Sequence, residues 1–114
     1  METVLVVMAV LVALFLLPRL LGLGRASPTV VKQKIDAGAV IIDVRTPEEF
    51  RGGAYPGARN VPLDALGGQV SRLPKDKPVI VYCASGMRSA TAARRLKQAG
   101  FPDVVNAGAL AQMP

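Results

Sequence analysis

The 114-residue chain contains no histidine, no tryptophan and a single cysteine. Without histidine, no Cys–His or Ser–His–Asp arrangement can be built within the chain, and the commonest transition-metal ligand is gone. One cysteine excludes an intramolecular disulfide and any multi-cysteine zinc site, so neither a metal nor a cofactor is expected. Aromatic residues make up only 4% of the chain, leaving few rings on which bases could stack. Lys and Arg outnumber Asp and Glu by 14 to 8, but the basic residues are scattered rather than blocked. Nucleic acid is therefore not an expected partner. Small anions or anionic lipid headgroups suit the charge better.

The chain is long enough for one domain. Much of its 51% hydrophobic content sits in VLVVMAVLVALFLL, Val4 to Leu17, which carries no charge. Pro18 and Arg19 interrupt, and the apolar zone resumes to Gly24. A bilayer core needs roughly 20 apolar residues as helix, and an arginine near the end of such a segment can snorkel to the headgroups. Residues 1–26 are therefore expected to hold one transmembrane helix, residues 4–24, with a short linker from Leu21 to Ser27. A cleaved signal peptide competes, with GRAS supplying a site after Ala26, but MET gives it no positive start. A core helix apolar on every face would need more surrounding core than the remaining residues provide. Arg19, Arg25, Lys32 and Lys34 follow the segment and no basic residue precedes it, which favours a cytoplasmic domain over an exported or periplasmic one.

Residues 27–114 read as alternating helices and strands. Ser27 and Pro28 suit the start of a helix through SPTVVKQKIDAGA that stops at Gly38. AVIIDV, Ala39 to Val44, is a buried strand. Thr46, Pro47 and Glu49 have the spacing of a capping box, so TPEEF opens a second short helix. RGGAYPGA is a loop, RNVP a short strand, and LDALGGQVSRL a helix weakened by Gly67 and Gly68. VIVYC, Val79 to Cys83, is another buried strand. MRSATAARRLKQAG is a helix with Ala92, Ala93 and Leu96 on one face, and DVVNAG a last short strand and turn. Such alternation predicts an α/β domain, a small parallel sheet with helices on both faces.

The chemistry concentrates in YCASGMRSA. Cys83 ends a strand, and a helix starts a few residues later. In open parallel sheets ligands bind beyond the carboxyl ends of the strands. Gly86 and the small residues around it let the backbone curl with its N–H groups inward, and those groups favour negative charge. A thiolate there has a lowered pKa, and Arg88 adds a positive charge. Ala84, Ser85, Gly86, Met87 and Arg88 are thus the candidate anion cradle, with Cys83 as nucleophile and Ser89 as a possible support. The competing reading is an inert buried cysteine. Asp43 and Arg45 end the AVIIDV strand near the same sheet edge and could touch substrate or form an internal ion pair. Arg51 lies on a loop that could reach the pocket or stay solvated. Glu48 and Glu49 are explained by the helix start.

VYCASGMRSATAARRL resembles the active-site loop and following helix of single-domain rhodaneses. AVIIDVRTPEEFRGGAYPGARNVPL resembles the other signature of that family, and VVNAGAL its C-terminal glycine turn. The likeness covers about Ala39 to Leu110, with both motifs in order. It implies a rhodanese-like fold and thiosulfate sulfurtransferase activity through a Cys83 persulfide. It also implies an anionic sulfur donor such as thiosulfate and a thiophilic acceptor, with a protein donor or acceptor as a possible partner. Two positions depart from the family pattern. Ala54 and Tyr55 stand where the family often has histidine, and Ala109 follows Gly108 where a second glycine is usual. Two other functions compete. A non-catalytic binding or redox-sensing module would use the same fold, usually with the cysteine replaced. A cysteine phosphatase would want Cys-x5-Arg and a general acid, whereas here the spacing is Cys83-x4-Arg88.

Overall fold

The computed structural model describes residues 1–20, with side chains through residue 17, and residues 24–114. Helix α1 covers Glu2–Leu20. Among the described residues no helix is long and apolar enough to cross a membrane. The expected transmembrane helix over residues 4–24 is therefore not borne out. Its uninterrupted apolar run ends at Leu17, 14 residues after Val4. At about 1.5 Å per residue that run is roughly 21 Å long, against a hydrocarbon core of roughly 30 Å. Part of the expected span and linker, residues 21–23, lies outside the described residues. The large side chains of α1 through Leu17 are exposed, Val4, Leu11 and Phe15 among them.

The rest of the chain alternates as the pattern predicts. Helix α2, Pro28–Asp36, is capped by Ser27, whose hydroxyl accepts from Val30 N. Strand β1 is Val40–Asp43. Helix α3, Pro47–Arg51, opens with a complete capping box between Thr46 and Glu49. Strand β2, Arg59–Asn60, is followed by a broken helical stretch. Only Leu66–Gln69 of that stretch, α4, is α-helical, flanked by 3-10 turns at Leu63–Ala65 and Val70–Arg72. The expected continuous helix gives way on either side of Gly67 and Gly68, where the flanking turns tighten to 3-10 geometry with no side-chain cap at Pro62, Ala65 or Gln69. Strand β3 is Val79–Cys83, helix α5 Met87–Gln98 and strand β4 Val104–Ala109.

The four strands form one parallel sheet in the order β2-β1-β3-β4. Every residue of β1 and β3 is buried, as a sheet covered on both faces requires. Alternate residues serve opposite faces. Ile42, Val79, Val81 and Cys83 join Ala92, Ala93 and Leu96 of α5 and Leu66 of α4. Ile41, Ile80, Tyr82 and Ala107 join Val31 of α2 on the other side. Each large side chain so buried contributes about 1.5–3 kcal/mol. The central position of β3 sets its carboxyl end, and Cys83, at a fixed point between two packed layers.

Candidate active site

Cys83 is the last residue of β3, its side chain fully buried on the α5 face. Between it and α5 the chain has only Ala84, Ser85 and Gly86. Gly86 precedes the helix at φ 97°, in the left-handed region. An added Cβ there would also lie 3.4 Å from Gly108 Cα. Only glycine takes this turn without strain, and the turn aims Gly86 N at the sulfur, 2.9 Å from Sγ. Ser89 N, in the first turn of α5, donates to the same sulfur at 3.4 Å.

Ser89 is fully buried, and its Oγ lies 3.5 Å from Sγ. The same hydroxyl reaches Gly86 O at 3.1 Å and Gly108 O at 3.4 Å. A hydroxyl has one proton. With a thiol present it donates to a carbonyl and accepts from S–H; with a thiolate it can turn and donate to sulfur. Burial is the largest single influence on the Cys83 thiol and pushes its pKa up. Hydrogen bonds from the Ser89 hydroxyl and from the Ser89, Gly86 and Ser85 amides together outweigh it, and the net shift is downward. The arrangement is a sulfur at the base of a backbone cradle, primed toward thiolate.

The other sequence candidates divide into those the fold brings to the loop and those it does not. Ala84, Ser85 and Met87 are exposed on the loop, with Met87 at 78% exposure. Arg88 points across to α3, where its guanidinium grips Glu49 in a bidentate pair of 2.7 and 3.0 Å. That grip, with the Thr46 amide, holds the Glu49 carboxyl at about 2. Glu49 was explained by its cap alone; it closes the capping box and also anchors the loop arginine. No local pattern announces the second role, because its partner is 39 residues away.

Asp43 and Arg45 face each other. Asp43 is fully buried, and Arg45 binds it through Nε at 3.0 Å and Nη2 at 2.7 Å. The remaining reach of Arg45 goes to Gly53 O at 2.7 Å and over the Tyr82 ring. The pair is the internal ion pair that the sequence allowed beside substrate contact. Arg51, for which the sequence left the pocket and solvent open, sits on the surface and pairs with Glu48 at 3.5 Å. At the histidine departure, Tyr55 N donates to Tyr82 Oη at 3.0 Å, and Tyr55 Oη donates to Pro114 O at 2.9 Å. These bonds tie the loop to β3 and the C-terminus. At the other departure, Ala109 has φ −87° and ψ 151°, ordinary extended backbone, so a second glycine is not needed. Among the described residues no cluster of potential ligands could hold a metal ion.

Two clefts flank the loop. One, of about 330 Å³, runs past Arg88, Thr46 and Asp64. The other, of about 470 Å³, is bordered by Ser85, Gly86, Met87 and Arg25. Cys83 itself lines neither, but Gly86, whose N–H touches Sγ, borders the larger one.

Comparison with known proteins gives this geometry a context. The rhodanese-like domain family matches residues 27–108. An uncharacterized protein of Bacillus subtilis is 40% identical over 85 residues, covering 72% of this chain and 68% of that protein. A thiosulfate sulfurtransferase of Pseudomonas aeruginosa is 32% identical over 80 residues, covering 70% and 73%. The solved structure of a rhodanese with anions from E. coli superposes with a TM-score of 0.63 at 35% identity. That alignment covers 67% of this chain and 94% of the other.

Proposed function

Because the chain belongs to the rhodanese-like domain family, we propose that it is a sulfurtransferase that carries sulfur as a persulfide on Cys83. The observation that carries this reading is the convergence on one buried Sγ of Gly86 N, Ser89 N and the Ser89 hydroxyl. Donors so placed stabilise a thiolate without histidine, and a preformed thiolate needs no general base.

In the first half-reaction the Cys83 thiolate attacks the outer sulfur of a donor such as thiosulfate. The new S–S bond forms as the bond between the outer sulfur and the sulfonate breaks, and its electron pair leaves with sulfite. Charge is conserved, and Cys83 now holds a persulfide anion. In the second half-reaction an acceptor thiolate, or cyanide, attacks the terminal sulfur. The bond to Cys83 breaks and returns its electron pair to the thiolate. The loop amides of Ala84 to Arg88 would offer the terminal sulfur fixed donors rather than mobile water, as Gly86 N already does for Sγ. The thiosulfate donor is supported by the named relative in Pseudomonas aeruginosa. A small buried sulfur behind a tight loop fits one transferred atom better than a tetrahedral phosphate.

The test is intact mass. The full chain is incubated with thiosulfate, freed of excess and weighed. The expected result is a gain of one sulfur atom, reversed by cyanide with release of thiocyanate and absent in Cys83→Ala. An unchanged mass with thiosulfate and with organic persulfide donors would sink the reading and favour a binding module.

A further inference from the structure

The larger cleft beside the loop has a lining that the persulfide chemistry does not use. Backbone N–H of Ala26 donates to Asn106 O at 2.8 Å, which fastens the segment before α2 along the outer edge of β4. That bond delivers Arg25 to the cleft wall opposite Ser85 and Gly86. Its stem lies over Gly108, which sits at φ 86°. A Cβ on Gly108 would overlap Arg25 Cδ and stand 2.8 Å from its Cγ, so only a glycine leaves the arginine this place. No hydrogen bond or ion pair engages the Arg25 side chain among the described residues. Arg88 and Arg45, by contrast, are occupied, Arg88 by Glu49 and Arg45 by Asp43.

The neighbouring amides are turned the same way. Asn106 is 6% exposed, and its Oδ1 accepts from Gly108 N at 3.0 Å. Gln112 Oε1 accepts from Ala109 N at 3.1 Å. With both oxygens committed to backbone N–H groups, both NH2 groups remain as donors. No side-chain N or O atom is buried without a partner among the described residues, so the Asn106 NH2 group reaches the cleft. Among the described residues no Asp or Glu lines the cleft. A surface of one guanidinium and two amide NH2 groups, with no carboxylate, selects an anion.

We propose that this cleft binds the carboxylate of the sulfur acceptor, so that the preferred acceptor is a small thiol carrying a carboxylate, with Arg25 as its specificity residue. The inference rests on the persulfide reading. Gly86 forms part of the cleft wall while its N–H touches Sγ. A carboxylate held on Arg25 would bring a thiol a few bonds away toward the Gly86 side of the cleft, where the persulfide would emerge. The same donors could instead hold the sulfonate of the donor, and the test separates the two.

Full-length wild type, Arg25→Gln and Arg25→Lys are charged with thiosulfate. Turnover is followed with 3-mercaptopropionate, which carries a carboxylate, and with 2-mercaptoethanol, which does not. Persulfide yield is read separately by intact mass. The expected result is a KM for 3-mercaptopropionate about ten-fold higher in Arg25→Gln, the loss of about one charge-assisted contact. Arg25→Lys should recover part of it. The KM for 2-mercaptoethanol and the persulfide yield should match wild type. Equal changes for both thiols, or none, would overturn the proposal. A raised KM for thiosulfate alone would overturn it as well and assign the cleft to the donor. A wild type that gains no sulfur would overturn the persulfide reading, and this proposal with it, whereas normal persulfide without thiol discrimination would remove only this proposal.

Discussion

Strands β1 and β3 lie side by side, with Asp43 opposite Tyr82 in register, and both end in residues that could do chemistry. Their ends are built in opposite ways. At the end of β1 a buried carboxylate meets a buried guanidinium, and their hydrogen bonds close on one another and on Gly53 O. At the end of β3 the amide donors converge on a sulfur that accepts them weakly as a thiol and fully only as an anion, when the Ser89 hydroxyl can turn and donate as well. Both ends are equally buried. A buried polar site is structural when its partners satisfy each other in the resting state, and reactive when they satisfy a charge that has yet to form.

The largest effects should come from removing the principal at each end. Cys83→Ala is expected to lower sulfur transfer by at least a thousand-fold while changing the melting temperature little, since the loss is one small buried atom. Asp43→Ala should do the reverse. Removing one partner of a buried ion pair costs about 3–5 kcal/mol, so Tm should fall by roughly 15 °C or more. Turnover per folded molecule should stay near wild type at a temperature where the variant is native. An Asp43→Ala protein that keeps its Tm but loses turnover would break the contrast.

A finer distinction lies within the β3 end. Ser89→Ala removes the hydroxyl that can turn toward the thiolate and leaves the amides of Gly86 and Ser89 in place. The Cys83 pKa, lowered in the wild type, should rise, because burial still opposes the charge and one of the opposing donors is gone. Less thiolate is then present at a given pH. The profile of persulfide formation against pH should move to higher pH, with the neutral-pH rate several-fold lower and the plateau rate at high pH retained. A lower plateau with an unmoved profile would mean that Ser89 acts by packing alone.

The two ends were not equally legible in the sequence. The loop at Cys83 is local: strand, small residues, Gly86 and helix start follow one another, and local order dictates where N–H groups point. The alternation of β1, α2, β3 and α5 was readable for the same reason, since the periods of strand and helix are written in consecutive residues. At Asp43, contact with substrate and an internal pair were both open, because adjacency in sequence does not say which way a strand end faces. The join of Glu49 to Arg88 and the seating of Arg25 on Gly108 were invisible. Both depend on which elements the sheet brings together, and neither leaves a local pattern. The helix through LDALGGQVSRL was overdrawn as one α-helix: only its glycine-bearing centre is α-helical, and its uncapped ends tighten into 3-10 turns. The membrane span was overdrawn because residues beyond Pro18 were counted as a continuation of one apolar run.

The smallest expected effect concerns Glu49, which stands between the two ends and shares features of both. Like Asp43 it closes a bidentate pair with an arginine, but it does so half-exposed, where solvent weakens the pair. The fold lowers its pKa from an ordinary 4.5 to about 2, chiefly through Arg88 and then through the Thr46 amide. The native state therefore binds this proton less readily than the unfolded chain. The stabilisation is fully present above pH 4.5 and is lost as pH falls from there through about 2. Glu49→Gln should keep the capping contact in part and lose the ionic grip. Its stability should fall less steeply than that of wild type between pH 4.5 and 2, measured by urea midpoints across that range. Freed from Glu49, Arg88 no longer fixes the loop from the α3 side, and persulfide formation should slow about two- to five-fold without a shift of its pH profile. A Glu49→Gln protein with the acid sensitivity of wild type would show that the pair contributes nothing net. Arg88 would then belong with the surface ion pairs rather than with the loop that Cys83 depends on.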